Sequence, residues 1–145
     1  MKTLTIDPAQ VDLREMIDRG TKLHGHMGPF LVVGIRMGLH ALSLLESSGY
    51  FGIHATSQAG SKTPLSCLND GIQIGSGCTA GKGNLLIVNG GIPSATFTCA
   101  GKTLSIELRE RVVNTFPGSD LIAKSEELAI LPAKELFTWT LLPSD

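Results

Sequence analysis

Three observations predict an α+β fold for this chain, with an antiparallel central sheet packed against helices in one domain over residues 1–145. Strand-like patterns cluster in the middle of the sequence and helical patterns lie at both ends, which is the order of an α+β rather than an alternating α/β domain. One helical segment, near residues 28–47, is apolar all round its axis and therefore belongs inside the domain. No linker, repeat or low-complexity tract divides the 145 residues, a length that suits a single core.

Taken in order, Asp7-Pro8 reads as an N-cap followed by a first-turn proline. They open a helix through about Arg19, with Val11, Met16 and Ile17 turned inward and Gly20 as its stop. A second helix begins at Gly28-Pro29 and runs to about Ser47, with Phe30, Leu31, Val32, Val33, Ile35, Met37, Leu39 and Leu42 surrounding its axis. Gly34 and Gly38, four residues apart, let another element approach it closely. Gly52 to Gln58 alternates weakly, as a strand does. A short helix starts near Thr63-Pro64 and carries Cys67, Asp70 and Ile74. Leu85 to Val88 reads as a buried strand, Asn89-Gly90-Gly91 as a turn, and Ala95 to Cys99 as its hairpin partner. Thr103 to Leu108 sets Leu104, Ile106 and Leu108 against Ser105 and Glu107, a clean period of two. Helical patterns follow over Leu108–Phe116 and Leu121–Leu128, while Ala133 to Trp139 fits helix and strand equally.

Composition removes several functions. With 12 basic and 13 acidic side chains and a net charge of −1, the chain has no electrostatic footprint for nucleic acid or an anionic membrane. An aromatic fraction of 5% argues against a base-stacking surface. The longest apolar run, Phe30 to Ile35, stops at Arg36, far short of the roughly 20 residues a membrane span needs. The first residues carry no apolar core of a signal peptide, so a cytoplasmic location is expected. Three cysteines without a paired framework fit a reducing compartment.

The chemistry-bearing residues form three groups. His24-Gly25-His26 places two imidazoles two residues apart, on one side of an extended or irregular segment, just before a helix start. Either ring also suits acid–base work, since histidine titrates near about pH 6.5. Cys67 falls in the first turn of the short helix, where the helix dipole favours thiolate, with Asp70 on the same face. Cys78 lies in a small-residue ribbon, Gly71 to Asn84, in which five of fourteen residues are glycine. Two thiols and two imidazoles make a good donor set for zinc, with nickel, cobalt and iron also admitted. Cys99, in an apolar strand, reads as packing. Gly77-Cys78-Thr79-Ala80-Gly81-Lys82 falls one residue short of a P-loop, and Gly83 stands where the hydroxyl for magnesium belongs. The Gly75-x-Gly77 piece follows a helix rather than a strand, so a dinucleotide fingerprint fails as well. Lys82 is left as a contact for an anionic small molecule.

These residues, in this order, resemble the E-subunit family of formylmethanofuran dehydrogenase. That family is marked by H-G-H-x-C-P-G, C-x-x-D-x-I-Q and G-C-T-x-G-K-G-N segments. The chain offers His24-Gly25-His26-Met27-Gly28-Pro29-Phe30, then Cys67-Leu68-Asn69-Asp70-Gly71-Ile72-Gln73, and an unbroken Gly77-Cys78-Thr79-Ala80-Gly81-Lys82-Gly83-Asn84. It departs where the family cysteine falls on Gly28 and the glycine after it on Phe30. No cysteine follows Cys99, so the resemblance is to the core domain without the zinc ribbon that some members append. It implies a compact α+β domain, dimeric, with a metal near the histidine and cysteine motifs. The enzyme in the family's name uses molybdenum or tungsten, and its redox chemistry belongs to other subunits. Nothing in this sequence marks a pterin or an iron–sulfur cluster, so that activity is not expected of the chain itself.

Residues and resemblance together lead to the expectation of a cytoplasmic homodimer holding one divalent transition ion per protomer, zinc first, as a metal-assisted hydrolase or related enzyme. His26, Cys67 and Cys78 are the expected ligands, with His24 as the fourth or behind them. Asp70 orients a ligand or serves as base toward a metal-bound water, so Asp70 and His24 are the expected catalytic pair. Lys82 is the expected contact for the small-molecule ligand. Two rival expectations stand beside this one: a non-catalytic accessory or metal-carrier subunit of a larger molybdenum or tungsten oxidoreductase, and a metal-free protein in which Cys67 and Cys78 form a redox pair.

Overall fold

The computed structural model describes residues 2–143; Met1, Ser144 and Asp145, which the expected domain bounds include, lie outside the described residues. Helix α1 (Leu13–His24) starts at Asp12 rather than at Asp7. Asp12 Oδ1 accepts the Glu15 N–H at 3.2 Å and so caps the helix. Asp7 closes a separate turn instead, its Oδ1 accepting from Ala9 N–H and its carbonyl from Gln10 N–H, both at 3.0 Å. Gly20 does not end the helix. It lies inside it, where a Cβ would come within 3.1 Å of Ile35 Cδ1. The stop is Gly25, at φ 103°, whose N–H donates to Thr21 O at 2.7 Å.

Helix α2 (Pro29–Leu45) is capped by Gly28 with Pro29 in its first turn, and Leu31, Val32, Val33, Ile35, Met37 and Leu42 on it are wholly buried. It is the central helix that its all-round apolar pattern predicts. After it come β1 (Ile53–Ser57), α3 (Cys67–Ser76), β2 (Leu85–Ile87), β3 (Ser94–Cys99) and β4 (Lys102–Leu108). The chain finishes with α4 (Glu110–Val113), α5 (Leu121–Ile130), α6 (Ala133–Leu136) and β5 (Phe137–Pro143). The ambiguous stretch from Ala133 thus divides into a single helical turn followed by a strand.

The five strands form one sheet in the order β2-β1-β3-β4-β5, antiparallel except for the parallel β1–β2 pair. Ala55 stands opposite both Leu85 and Phe97, and Phe97 opposite Leu104. The fold is therefore α+β. Ile53, Ala55, Phe97, Leu104, Ile106 and Leu108 point from one face of the sheet into the core, while His54, Thr98, Ser105 and Glu107 on the other face are exposed. The expected hairpin between β2 and β3 is replaced by β1 lying between them. Burial explains why: β1 carries three inward residues with 2% exposure or less, so it takes an interior place. In β2 only Leu85 is buried, and Leu86 and Ile87 are exposed, so it takes the edge rather than being the buried strand expected.

Between α2 and α3 backbone meets backbone. A Cβ on Gly71 would strike Leu31 O, one on Gly75 would strike Ile35 O, and one on Gly34 would strike Leu68 O. Gly38 leaves only 2.7 Å to Ser76 N. Two of the ribbon's five glycines are thus packing positions in a helix, not ligand contacts. Among the described residues no helix is long and apolar enough to cross a membrane.

Replacement at this contact tests the arrangement. Helix propensity alone favours alanine over glycine by about 1 kcal/mol. Gly71→Ala is nevertheless expected to destabilise by about 3 kcal/mol or more, because the added methyl meets backbone that no side-chain rotation can clear. Gly81→Ala, with nothing within 4 Å of the added atom, is expected to stay within about 0.5 kcal/mol of the parent. Urea denaturation midpoints of the two variants decide it.

Candidate functional site

The left-handed Gly25 ends α1 and reverses the chain so sharply that His24 and His26 face each other across the corner. Their ring centroids are 4.8 Å apart and the planes tilt by 48°. His26 is exposed, its Nδ1 lying 3.2 Å from Met27 O. His24 is largely buried, with 12% of its side chain exposed.

The first turn of α3 meets this corner. Asn69 anchors the turn, its Nδ2 donating to Gly60 O at 2.8 Å and its Oδ1 accepting from the Ser57 hydroxyl. Asp70, the next residue, reaches His24: Oδ2 lies 2.7 Å from Nδ1. A carboxylate accepts, so the proton of this hydrogen bond sits on Nδ1, and whenever the ring is neutral its lone pair is on Nε2. This is the arrangement in which a carboxylate fixes the tautomer of a metal-binding or proton-accepting histidine.

Cys67 opens α3, on the same face as Asp70 and one turn before it. The dipole effect expected there does not prevail. Burial pushes the thiol above its ordinary pKa, the Asp70 charge pushes it further, and only a backbone hydrogen bond pulls the other way. Gly28, the position of the absent family cysteine, also belongs to this corner: a Cβ there would lie 3.2 Å from His26 Cε1.

Cys78 is not brought to this end. It follows Gly77, the C-cap of α3, eleven residues after Cys67, so roughly 15 Å of helix separates the two. Its side chain is wholly buried, with Sγ donating toward Ile53 O at 3.7 Å, and burial pushes its pKa up. That separation also excludes a Cys67–Cys78 disulfide in this fold, since bridged Cα atoms lie within about 7 Å of each other. All three cysteines are free thiols. Lys82 is committed within its own loop, where Nζ donates to Gly77 O at 2.7 Å and Thr79 Oγ1 at 3.1 Å. It also stands 5.9 Å and 5.5 Å from the ring centres of Tyr50 and Phe51. The expected four-ligand cluster is therefore split between the two ends of α3. Among the described residues no three His, Cys, Asp or Glu side chains form a group ready to hold an ion. Sequence reasoning passed over Asn69, whose signal was a lone amide between Cys67 and Asp70 on a helix otherwise facing the core.

An α+β domain with a carboxylate-held histidine at the meeting of three helices defines the class. A family model described as FmdE, Molybdenum formylmethanofuran dehydrogenase operon, matches residues 23–137, and the chain belongs to that family. A protein of Archaeoglobus fulgidus described as a "Probable S-adenosyl-L-methionine-binding protein" is 29% identical over 87 residues. That match covers 55% of this chain, and the chain spans only 22% of the relative's length. The crystal structure of an FmdE-like protein of tungsten formylmethanofuran dehydrogenase type from Syntrophus aciditrophicus superposes with a TM-score of 0.62 at 16% identity. It covers 99% of this chain and 78% of that one, a likeness of fold.

The electrostatics at Cys67 can be checked directly. The negative charge of Asp70 raises the thiol pKa, so Asp70→Asn is expected to lower it and to increase the thiolate fraction at any pH below that pKa. In metal-stripped protein at about pH 8, the Cys67 peptide of the variant should be alkylated by iodoacetamide several-fold faster than that of the parent. Peptide mass spectrometry gives the rate, and an unchanged or slower rate would show that Asp70 does not govern this thiol.

Proposed function

We propose that the corner between α1 and α2, together with the first turn of α3, binds one divalent transition ion, zinc first, and that the ion serves chemistry on a small molecule. The hydrogen bond of 2.7 Å from His24 Nδ1 to Asp70 carries this reading, because it presents the one nitrogen of His24 that an ion can use. His26 and Cys67 are the further donors at that end, and imidazole with thiolate is a donor set that zinc favours and that nickel, cobalt and iron accept. Because no three donors stand ready around one point among the described residues, binding requires the exposed His26 ring and the Cys67 side chain to turn toward His24. Bound there, such an ion supplies Lewis-acid chemistry, activating water or polarising a carbonyl. The chain's own part is to hold the His24 tautomer through Asp70 and to keep Cys67 neutral until a cation offsets the charge of Asp70. Cys78 and Lys82 stay outside this site.

Metal analysis on tag-free protein tests it. About one equivalent of zinc is expected in the parent, and none in His24→Ala or His26→Ala. Asp70→Asn should weaken binding by about 10–100-fold. Cys78→Ser should keep its metal. No metal in the parent, even after reconstitution with zinc, nickel, cobalt and iron, removes the reading.

Position 28 supplies a second test. Gly28 has an extended φ of −149°, so a cysteine fits its backbone, and the new thiol would stand beside His26 once the ring yields a few tenths of an ångström. Gly28→Cys is expected to raise zinc affinity by at least about tenfold, as an added thiolate ligand should. Competition with a chromophoric chelator measures it, and no gain would place residue 28 outside the site.

The family's association with a molybdenum dehydrogenase operon supports a second reading, an accessory or metal-carrier subunit of a larger oxidoreductase. Co-purification with such an enzyme and an ion that a chelator strips easily would favour it over a catalytic site. Self-association as a homodimer belongs to both readings and is read by light scattering.

A further inference from the structure

Farther along α2, away from the His24–Asp70 corner, the helix borders a cavity of about 380 Å³ between the segment leading into α1 and the turn from α5 to α6. Apolar Val11, Leu39 and Ala129 line it together with Arg36, His40 and Ser43. The last three are spaced four and three residues apart, so they share one helix face. No aspartate or glutamate lines the cavity.

Arg36 has lost much of its water without gaining a carboxylate. Its Nη1 donates to Leu128 O at 2.7 Å and Ala129 O at 3.2 Å, and no ion pair among the described residues includes it. A guanidinium has five N–H donors, so these two carbonyls leave most of the fork unused. One turn on, His40 Nε2 is buried with no hydrogen-bond partner, while its ring stacks on Phe137 at 6.2 Å and meets Trp139 edge-on at 4.4 Å. Burial holds Arg36 below its ordinary pKa; burial and then the Arg36 charge do the same to His40, which is neutral near pH 7 and keeps one N–H to donate. A part-buried cation with unused donors is costly, and an anion in the cavity relieves it; His40 can meet that anion only through Nδ1, because Nε2 is sealed from solvent.

We propose that this cavity binds a small organic carboxylate, with Arg36 as its counter-charge, His40 as a second donor and the apolar walls around a short hydrocarbon body. A single guanidinium balances one negative charge, which a carboxylate carries and a phosphate near neutral pH exceeds. Val11, Leu39 and Ala129 beside Arg36 offer contacts to the hydrocarbon part of an organic anion that an inorganic one lacks. The site does not depend on the metal reading, since Arg36 lies seven residues beyond Pro29, roughly 10 Å along the helix.

The test titrates the whole chain with sodium hexanoate by calorimetry, with the ¹⁵N resonances of the histidine rings as a second readout. Saturable binding at a single site, with a shift of the His40 resonance, is expected for the parent and for His24→Ala. Arg36→Met should weaken it by about tenfold or more, Arg36→Lys by less because charge survives without the fork, and His40→Phe by a few-fold. Arg36 also ties down the end of α5, so circular dichroism must first show each variant folded; His40→Phe leaves those hydrogen bonds intact and carries the test if Arg36→Met does not fold. Absence of saturable binding in the parent, equal affinity for hexan-1-ol, or unchanged affinity in the folded variants would overturn the site. Displacement of hexanoate by a lower concentration of inorganic phosphate would overturn the choice of carboxylate.

Discussion

The glycine-lined contact between α2 and α3 is the constraint on which the rest of the structure depends. With Gly34 and Gly38 on one helix and Gly71 and Gly75 on the other, carbonyl oxygens take the space that side chains occupy in an ordinary helix pair. Such a contact has little freedom, because sliding or turning α3 would drive Cβ-bearing neighbours into the same backbone. Asp70 immediately precedes Gly71, so its distance to the end of α1 follows from that contact rather than from its own rotamer alone. Gly20 on α1, seated against Leu31, Ile35 and Ile74, holds the third helix in the same frame. The His24–Asp70 pair is thus a consequence of how closely three backbones approach.

Two influences compete at Cys67, and their sizes explain the outcome. A helix N-terminus stabilises an anion by about 0.3–1 kcal/mol at ordinary sites. Loss of water around a half-buried thiolate, together with a carboxylate one turn away, works against it and wins. Asp70 therefore divides the site: it favours a proton on His24 Nδ1 and disfavours charge on Cys67. A cation placed among these groups would offset the second effect, and one held by Nε2 would keep the His24 proton on Nδ1. On the metal reading proposed above, one carboxylate would support both the histidine and the thiol as donors, although by itself it suppresses the thiolate.

Much of this was legible from local pattern, and the exceptions have physical reasons. The residues of α2 declare its burial through the all-round apolar sequence from Phe30 to Leu45, and Gly28-Pro29 marks its start. Strand β4 is legible because Leu104, Ile106 and Leu108 alternate cleanly. The start of α1 is not, because Asp7-Pro8 suits a tight turn as well as a helix cap, and the choice falls to packing of the residues after Asp12. The place of β1 between β2 and β3 depends on which strand buries every inward-facing residue, a property of the assembled sheet. At the candidate site the residue types were legible, whereas the pairing of His24 with Asp70 spans 46 positions and no spacing rule predicts it. Cys67 and Cys78 look like neighbours in sequence until the helix between them is given its length.

The ribbon from Gly77 to Asn84 then needs a different account from the one its cysteine and lysine invite. Asn84 closes the loop, its Oδ1 accepting from Thr79 N–H at 2.8 Å while its Nδ2 donates to Tyr50 O at 2.9 Å. Lys82 caps the C-terminal end of α3 through Gly77 O, where a cation is favoured by the helix dipole, and Gln73 Oε1 accepts from Ala80 N–H at 3.0 Å. Each side chain that resembles a reactive group answers a backbone group left open between a helix end and an edge strand. The loop thereby fastens the far end of α3 to the start of β1, and through the glycine contact that fastening reaches Asp70. Chemistry and framework lie at opposite ends of one helix of ten residues, and the end richest in unusual residues is the one that holds the other in place.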